Sequence, residues 1–194
     1  LRGHQKACYN GTTKYNQWPC NSPSDAAPNY QGFHYLGNAL ASNGFIVVLV
    51  STNGIAAQDD GPNCADHGDL ARAELVAYHM SLWQGWNASP SGSPFGSTFV
   101  GHVDLTRVGL AAHSRGGGGA TRTPKYIQDN GLPYVIGGIQ LFSPYYQTIP
   151  QYLNLTLAGL QSIPVNVMES YCDGNSPSDA GVGYVDNGFA SLPA

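Results

Sequence analysis

The sequence predicts an α/β protein, a mostly parallel sheet with helices on both faces. Three observations predict it. Short apolar runs at 45–50, 108–112, 135–142 and 165–169 have the length and makeup of buried strands. Segments with apolar residues at helical spacing lie between several of these runs. The runs also end in clusters of Ser, Asn, Asp or Gly, the turn chemistry expected where a strand hands over to a helix.

Residues 1–30 read as loop, rich in Asn, Pro and Ser. Gln31 to Ser42 fits a helix, with Phe33, Leu36, Ala39 and Leu40 on one face and Asn43-Gly44 as its stop. Phe45-Ile46-Val47-Val48-Leu49-Val50 is expected as a buried strand. The polar stretch 54–68 carries Asp59, Asp60, Cys64, Asp66 and His67. It matches no metal-ligand spacing, so a solvated loop and helix start is expected and no metal. A long helix follows from Asp69 to about Trp86, with Ala73, Val76, Met80 and Trp83 in one stripe and Leu75, His79, Leu82 and Trp86 in the next. His79 on that face reads as a core histidine with a hydrogen-bond partner. Residues 87–97 form a Pro/Gly/Ser loop, and Asp104 to Arg107 lead into the strand at Val108. A helix through the glycine tract after Ser114 follows, its far end blurred by Thr123-Pro124. Val135 to Phe142 and Val165 to Glu169 are the next strands, with helix or loop over 149–162 between them.

Composition narrows the function classes. The 194 residues suit one domain, 1–194. Only 10% of residues are charged, and the net charge of −4 gives no electrostatic basis for nucleic-acid or anionic-membrane binding. No apolar run reaches the length of a bilayer span. Four cysteines are present, and Cys8 and Cys20 bracket a turn-rich loop that a disulfide would close in an oxidising compartment. Without a C-x-x-C, a zinc knuckle or thioredoxin-like site is not expected. Cys64 and Cys172 both flank the edge of the expected site and could pair; sequence leaves that open. Glycosylation triplets begin at Asn10, Asn87 and Asn154. Together these features favour a secreted protein.

The chemistry concentrates at Ala112-His113-Ser114-Arg115-Gly116. An apolar strand stops at a serine between small residues, and glycines continue to Gly119. That is the pattern of a nucleophile elbow, G-x-S-x-G with alanine first, in which a strained strand-to-helix turn lifts a serine hydroxyl above the sheet edge. Phosphate loops need a Lys-Ser or Lys-Thr that is missing here, and the dinucleotide fingerprint would need glycine at Thr121. A plain Gly-rich surface loop would not follow directly on an apolar strand. Serine needs a base to take its proton, and that base is usually a histidine oriented by a carboxylate. Asp173, after the 165–169 strand and before Gly174, is placed to be that carboxylate; Asp179 and Asp186 lie further from the strand end.

The segment Val108 to Ala120 resembles the elbow of α/β-hydrolases, nearest to the cutinase-like polyester hydrolases and bacterial lipases with their Gly-His-Ser-x-Gly-Gly-Gly-Gly run. Leu40 to Val48 is similar to the helix end and strand that family places before its elbow, and Ile163-Pro164-Val165 to Asp173 to its acid-bearing strand. The resemblance implies an eight-stranded α/β-hydrolase fold and a Ser-Asp-His triad in that order, with Ser114 as nucleophile and Asp173 as acid. It also implies an oxyanion hole from the backbone N–H groups of His4 and Arg115, and a cleft wall at Tyr145, in Ser143-Pro144-Tyr145. Tyr146 and Trp18 would add aromatic surface for an apolar or aromatic acyl group.

All six histidines (His4, His34, His67, His79, His102 and His113) precede Asp173. His67 follows the second of the strands in the family match, but the triad order of this fold disfavours it. The expectation is therefore a piece of a longer hydrolase, lacking its early strands and the histidine segment and impaired as an esterase by itself. The expected function is hydrolysis of a small or polymeric carboxylic ester through an acyl-enzyme, by a monomer without cofactor. The alternative is a non-catalytic α/β-hydrolase-like binding module without the base.

Overall fold

The computed structural model describes residues 1, 3, 5–59, 64–145, 163–170, 172 and 181–184. It has mixed α/β content built on two three-stranded sheets, one parallel and one antiparallel.

The parallel sheet has the order β4 (Val108–Ser114), β5 (Ile136–Pro144), β6 (Val165–Met168). Each strand is one of the apolar runs, and the period of two sorts its residues onto the two faces. Val108, Leu110 and Ala112 of β4, Ile139 and Leu141 of β5, and Val165 and Val167 of β6 belong to the core cluster. That face is covered by α4 (Gly116–Asp129) through Ala120 and Ile127, and by α3 (Asp69–Ala88) through Val76 and Met80. The expected stripe on α3 is the buried one: Ala73, Val76, Met80 and Trp83 are all buried. His79 is only half-buried and makes no hydrogen bond among the described residues; its ring meets Tyr78, and burial lowers its pKa. On the opposite sheet face, Phe33 stacks on Phe142 with centroids 5.6 Å apart and lies 6.4 Å from the His113 ring.

Helix α4 continues through Pro124. The Thr121 hydroxyl donates to the carbonyls of Gly117 and Gly118, and that of Thr123 to Gly119. These back-bonds bind together the turn just before the proline, which has no amide to contribute.

The run Phe45 to Val50 is a correction. It forms no strand, and Phe45 is 62% exposed. Val47 and Leu49 lie against Gly37 of α1 (His34–Ala41). A strand needs a ladder partner as well as an apolar pattern, and no described strand runs beside this segment. At the edge of β4 away from β5, the Leu1 amine donates to Ala111 O and the Leu1 carbonyl accepts from His113 N–H.

The first thirty residues, expected as loop, contain the antiparallel sheet: β1 (Cys8–Asn10), β2 (Thr13–Tyr15) and β3 (Asp25–Ala26), with β1 in the middle. The expected Cys8–Cys20 disulfide is present, with Cα atoms 5.6 Å apart. This sheet is tied to α2 (Asn53–Ala56) by buried Asn53, whose side-chain amide donates to the carbonyls of Ala7 and Ala27. Gln5 donates to the Thr52 hydroxyl at 3.4 Å. The segment from Leu1 to Ala7 is thus pinned at β4 on one end and at Thr52 and Asn53 on the other, and it passes over the end of β4 at Gly3. The expected helix or loop at 149–162 lies outside the described residues.

Candidate functional site

Ser114 is the last residue of β4 and has φ +54°, a left-handed conformation that a residue with a Cβ adopts at a cost of about 1–3 kcal/mol. Its strand neighbour across the ladder is Pro144, and the register shifts between His113 and Ser114. Arg115 follows as the N-cap of α4, and Gly116 to Gly119, all buried, form the first turn. The glycines answer to particular neighbours. A Cβ on Gly117 would stand 2.9 Å from Pro144 Cβ, one on Gly118 would strike the Asp69 carboxylate, and one on Gly119 the stem of Arg72. The tract lets α4 start directly against β5 and α3, so the turn at Ser114 has no room to relax.

Gly3 is buried against this turn. A Cβ there would lie 2.5 Å from Arg115 N and 2.8 Å from Ser114 Oγ. The loop at 1–7 therefore approaches the elbow backbone to backbone, on the side where the Arg115 amide emerges. His4, expected to provide the second oxyanion amide, lies outside the described residues.

Tyr145 directly follows Pro144. The Arg115 guanidinium carbon stands 5.6 Å from its ring centroid, and the His67 ring meets it edge-on at 5.3 Å. Its carbonyl accepts a hydrogen bond of 2.7 Å from the hydroxyl of Tyr184, which is wholly buried. Ser143, just before, is the other elbow-side residue with positive φ, at +38°. Tyr145 is thus fixed by three groups and borders the end of β4. Trp18 stands elsewhere: it packs on Gly54 in an open groove of about 520 Å³ with Thr52, Ala71 and Tyr78. Tyr146 is outside the described residues.

Beneath the elbow lies a charge cluster. Asp59, expected in a solvated loop, is completely buried. Its two carboxylate oxygens accept from Arg72 Nη2 at 2.7 Å and from Arg115 Nη1 at 3.1 Å. Arg72 is equally buried and donates from Nη1 to His67 O at 2.6 Å. His67, with φ +52°, places Nδ1 3.4 Å from Asp59 O. Asp69 is also buried; desolvation outweighs Arg72, Arg122 and Arg115 and pushes its carboxyl up to about 7.

Asp173, expected as the acid, lies outside the described residues, as do Asp179 and Asp186. Cys172 is an exposed free thiol four residues beyond the end of β6. Cys64 is half-buried and also free, so the two do not pair; burial and the nearby Asp66 and Asp59 raise its thiol pKa. Among the described residues no histidine hydrogen-bonds the Ser114 hydroxyl, the His67 ring being bonded to Asp59 O, and no three metal-binding side chains gather. The structure brings Tyr145 beside Arg115, the residue after Ser114; Asp59, Arg72 and Tyr184, which hold Arg115 and Tyr145, are not among the residues the sequence singles out for the site. The signal for the first two was Arg115 itself, a long cation between a strained serine and four glycines that calls for a carboxylate.

The chain matches no known protein-family model, no curated protein and no solved structure. Function therefore rests on the geometry of the elbow and on its motif.

Proposed function

We propose that this protein is a serine hydrolase of the α/β-hydrolase superfamily, cutinase- and lipase-like, that cleaves carboxylic esters through an acyl-enzyme. The observation that carries the reading is Ser114 at φ +54° between a parallel strand and a glycine-led helix. Backbone strain of this kind persists where the surroundings over-determine it, and a nucleophile elbow is such a place.

In this reading the Ser114 hydroxyl attacks the ester carbonyl carbon while a base accepts its proton. The carbonyl π electrons move to oxygen, and the oxyanion is met by the Arg115 amide at the N-terminus of α4 and by the His4 amide. Donors fixed in advance at that spot are the largest electrostatic contribution to acyl transfer. The tetrahedral intermediate collapses, the alkoxide leaves with the proton, and water then frees the acid by the same route in reverse. Tyr145, braced by Tyr184, Arg115 and His67, lines the acyl side of the cleft. Asp173 is the orienting acid. The family order puts the histidine after it, and none follows Asp173 in this sequence, so the proposal assigns the base to no residue. The Cys8–Cys20 disulfide supports an oxidising, secreted setting, and no described helix is long and apolar enough to cross a membrane.

The lack of a histidine bonded to Ser114 among the described residues favours one second reading, a binding module that kept the elbow without the chemistry. A fluorophosphonate probe separates the two. Covalent labelling that maps to Ser114 and disappears in Ser114→Ala supports the hydrolase. A folded protein that resists the probe at every concentration supports the binding module.

A further inference from the structure

The Asp59–Arg72–Arg115 cluster does more than its stability would require. Buried ion pairs seldom add net stability, because desolvation offsets most of the attraction; what they supply is a fixed geometry. Here Asp59 and Arg72 are both 0% exposed and 2.7 Å apart, and one contact would have closed the pair. The remaining carboxylate oxygen reaches Arg115, whose side chain is 18% exposed, at 3.1 Å. Arg115 is the residue whose amide the proposed mechanism aims at the oxyanion.

The local chain explains why such an anchor is needed. Gly116 to Gly119 carry no side chains, and Ser114 is held in a strained conformation. Arg115 alone in the turn offers a long side chain by which it can be fixed from outside. Its far end is held by Asp59 and lies over the Tyr145 ring. Arg72 is itself held on three sides: by Asp59, by His67 O, and by Gly119, where only a glycine leaves room for its stem. Gly68, at φ +78°, also lies close, since a Cβ there would stand 2.9 Å from Arg72 Nη1. The frame is continuous from the loop at 59–68, through the first turn of α3, to the first turn of α4.

We propose that Asp59 and Arg72 are positioning residues that act through the Arg115 side chain to hold the Arg115 amide in its oxyanion-binding orientation. The inference rests on the serine-hydrolase reading. It assigns the cluster to the transition state rather than to substrate affinity, so its loss lowers kcat and leaves KM nearly unchanged.

The test uses Arg115→Met, Arg115→Lys and Asp59→Asn in the full chain, with Ser114→Ala as the inactive reference. Turnover of a nitrophenyl ester, the rate of fluorophosphonate labelling and the thermal midpoint are measured for each. Arg115→Met is expected to lower kcat and the labelling rate tenfold or more with KM within about twofold, while the protein stays folded. Arg115→Lys, which keeps a cation for Asp59, is expected to recover part of that loss. Asp59→Asn should match Arg115→Met; if it does not fold, the two Arg115 variants decide. Wild-type kcat in Arg115→Met, a change confined to KM, or a lysine no better than methionine overturns the inference while leaving the hydrolase reading intact. A wild-type protein that neither turns over ester nor labels at Ser114 overturns both.

Discussion

Replacing Gly3 with alanine tests the close approach of the loop at 1–7 to Ser114 and Arg115. The added Cβ would stand 2.5 Å from Arg115 N, 2.6 Å from Ser114 Cβ and 2.8 Å from Ser114 Oγ. Ordinary contact begins at 3.4 Å, so the loop or the elbow must move by the difference between 3.4 and 2.5, about 0.9 Å. Two of the three neighbours belong to the elbow's backbone and Cβ and cannot swing away as a flexible side-chain end would. Overpacking of this kind costs about 1–3 kcal/mol, or a few degrees in thermal midpoint for a chain of this size. On the proposed serine-hydrolase reading the functional cost is larger. A displacement near 1 Å at a reacting centre is worth about 10²-fold in rate, and loss of one oxyanion donor about 10²–10³-fold. Gly3→Ala is therefore expected to label with a fluorophosphonate about 10²-fold more slowly than the wild type while remaining folded. Gly137→Ala is the control: its Cβ would come no nearer than 4.0 Å to any atom, at Val108 O. It should change the labelling rate little. A folded Gly3→Ala protein labelling at the wild-type rate would show that the loop at 1–7 does not press on the elbow.

Three further outcomes follow from other parts of the molecule. The Cys8–Cys20 disulfide spans a sequence separation of 12, for which the chain-entropy picture gives about 3 kcal/mol; a Cys8→Ser/Cys20→Ser protein should lose about that much in urea unfolding, and an unchanged midpoint would refute it. Asp69, with its carboxyl pushed up to about 7 by burial, keeps a proton in the folded state that the unfolded chain releases near pH 4. Its contribution is therefore fully present below about pH 4 and is lost as pH rises through about 7, with a slope of at most about 1.4 kcal/mol per unit. Asp69→Asn should flatten the decline between those values, and parallel stability curves would contradict the burial argument. When the protein is expressed through a eukaryotic secretory pathway, Asn10, exposed at the β1–β2 turn, should carry glycan. Intact-mass analysis before and after glycosidase treatment, with Asn10→Gln as the control, checks it; no mass shift attributable to Asn10 would refute it.

What the sequence makes legible follows from how far apart the interacting groups lie. β4, β5 and β6 are readable because each is a local apolar run, and the elbow because serine and glycines are contiguous. The ladder adjusts their ends: β4 reaches Ser114 because Ser114 pairs with Pro144. The run at 45–50 has as good a local pattern, yet it forms no strand where no described strand lies beside it, since period and composition nominate a strand that only a partner completes. The antiparallel sheet is hidden for the opposite reason. Strands of three and two residues show no periodicity, and only Gly11, at φ +56° as the first residue of the two-residue turn Gly11-Thr12, marks the turn between β1 and β2.

Asp59 is the most instructive case. Its neighbours in sequence are polar, so local reading puts it in water. Its partners are 13 and 56 residues away, and they overturn that reading by bringing two guanidinium groups to one buried carboxylate. In a chain with only 8 basic and 12 acidic residues, three of them meet under one serine. A cation placed directly after an elbow serine and before four glycines cannot be neutralised from within its own turn. Here the carboxylate comes from another loop, at Asp59. The same reasoning extends to Tyr145, whose carbonyl is held by a tyrosine 39 residues on. Ser114 and Arg115 stand in one short motif, whereas the groups that hold Arg115 and Tyr145 are spread along the chain and are identified only once the fold brings them together.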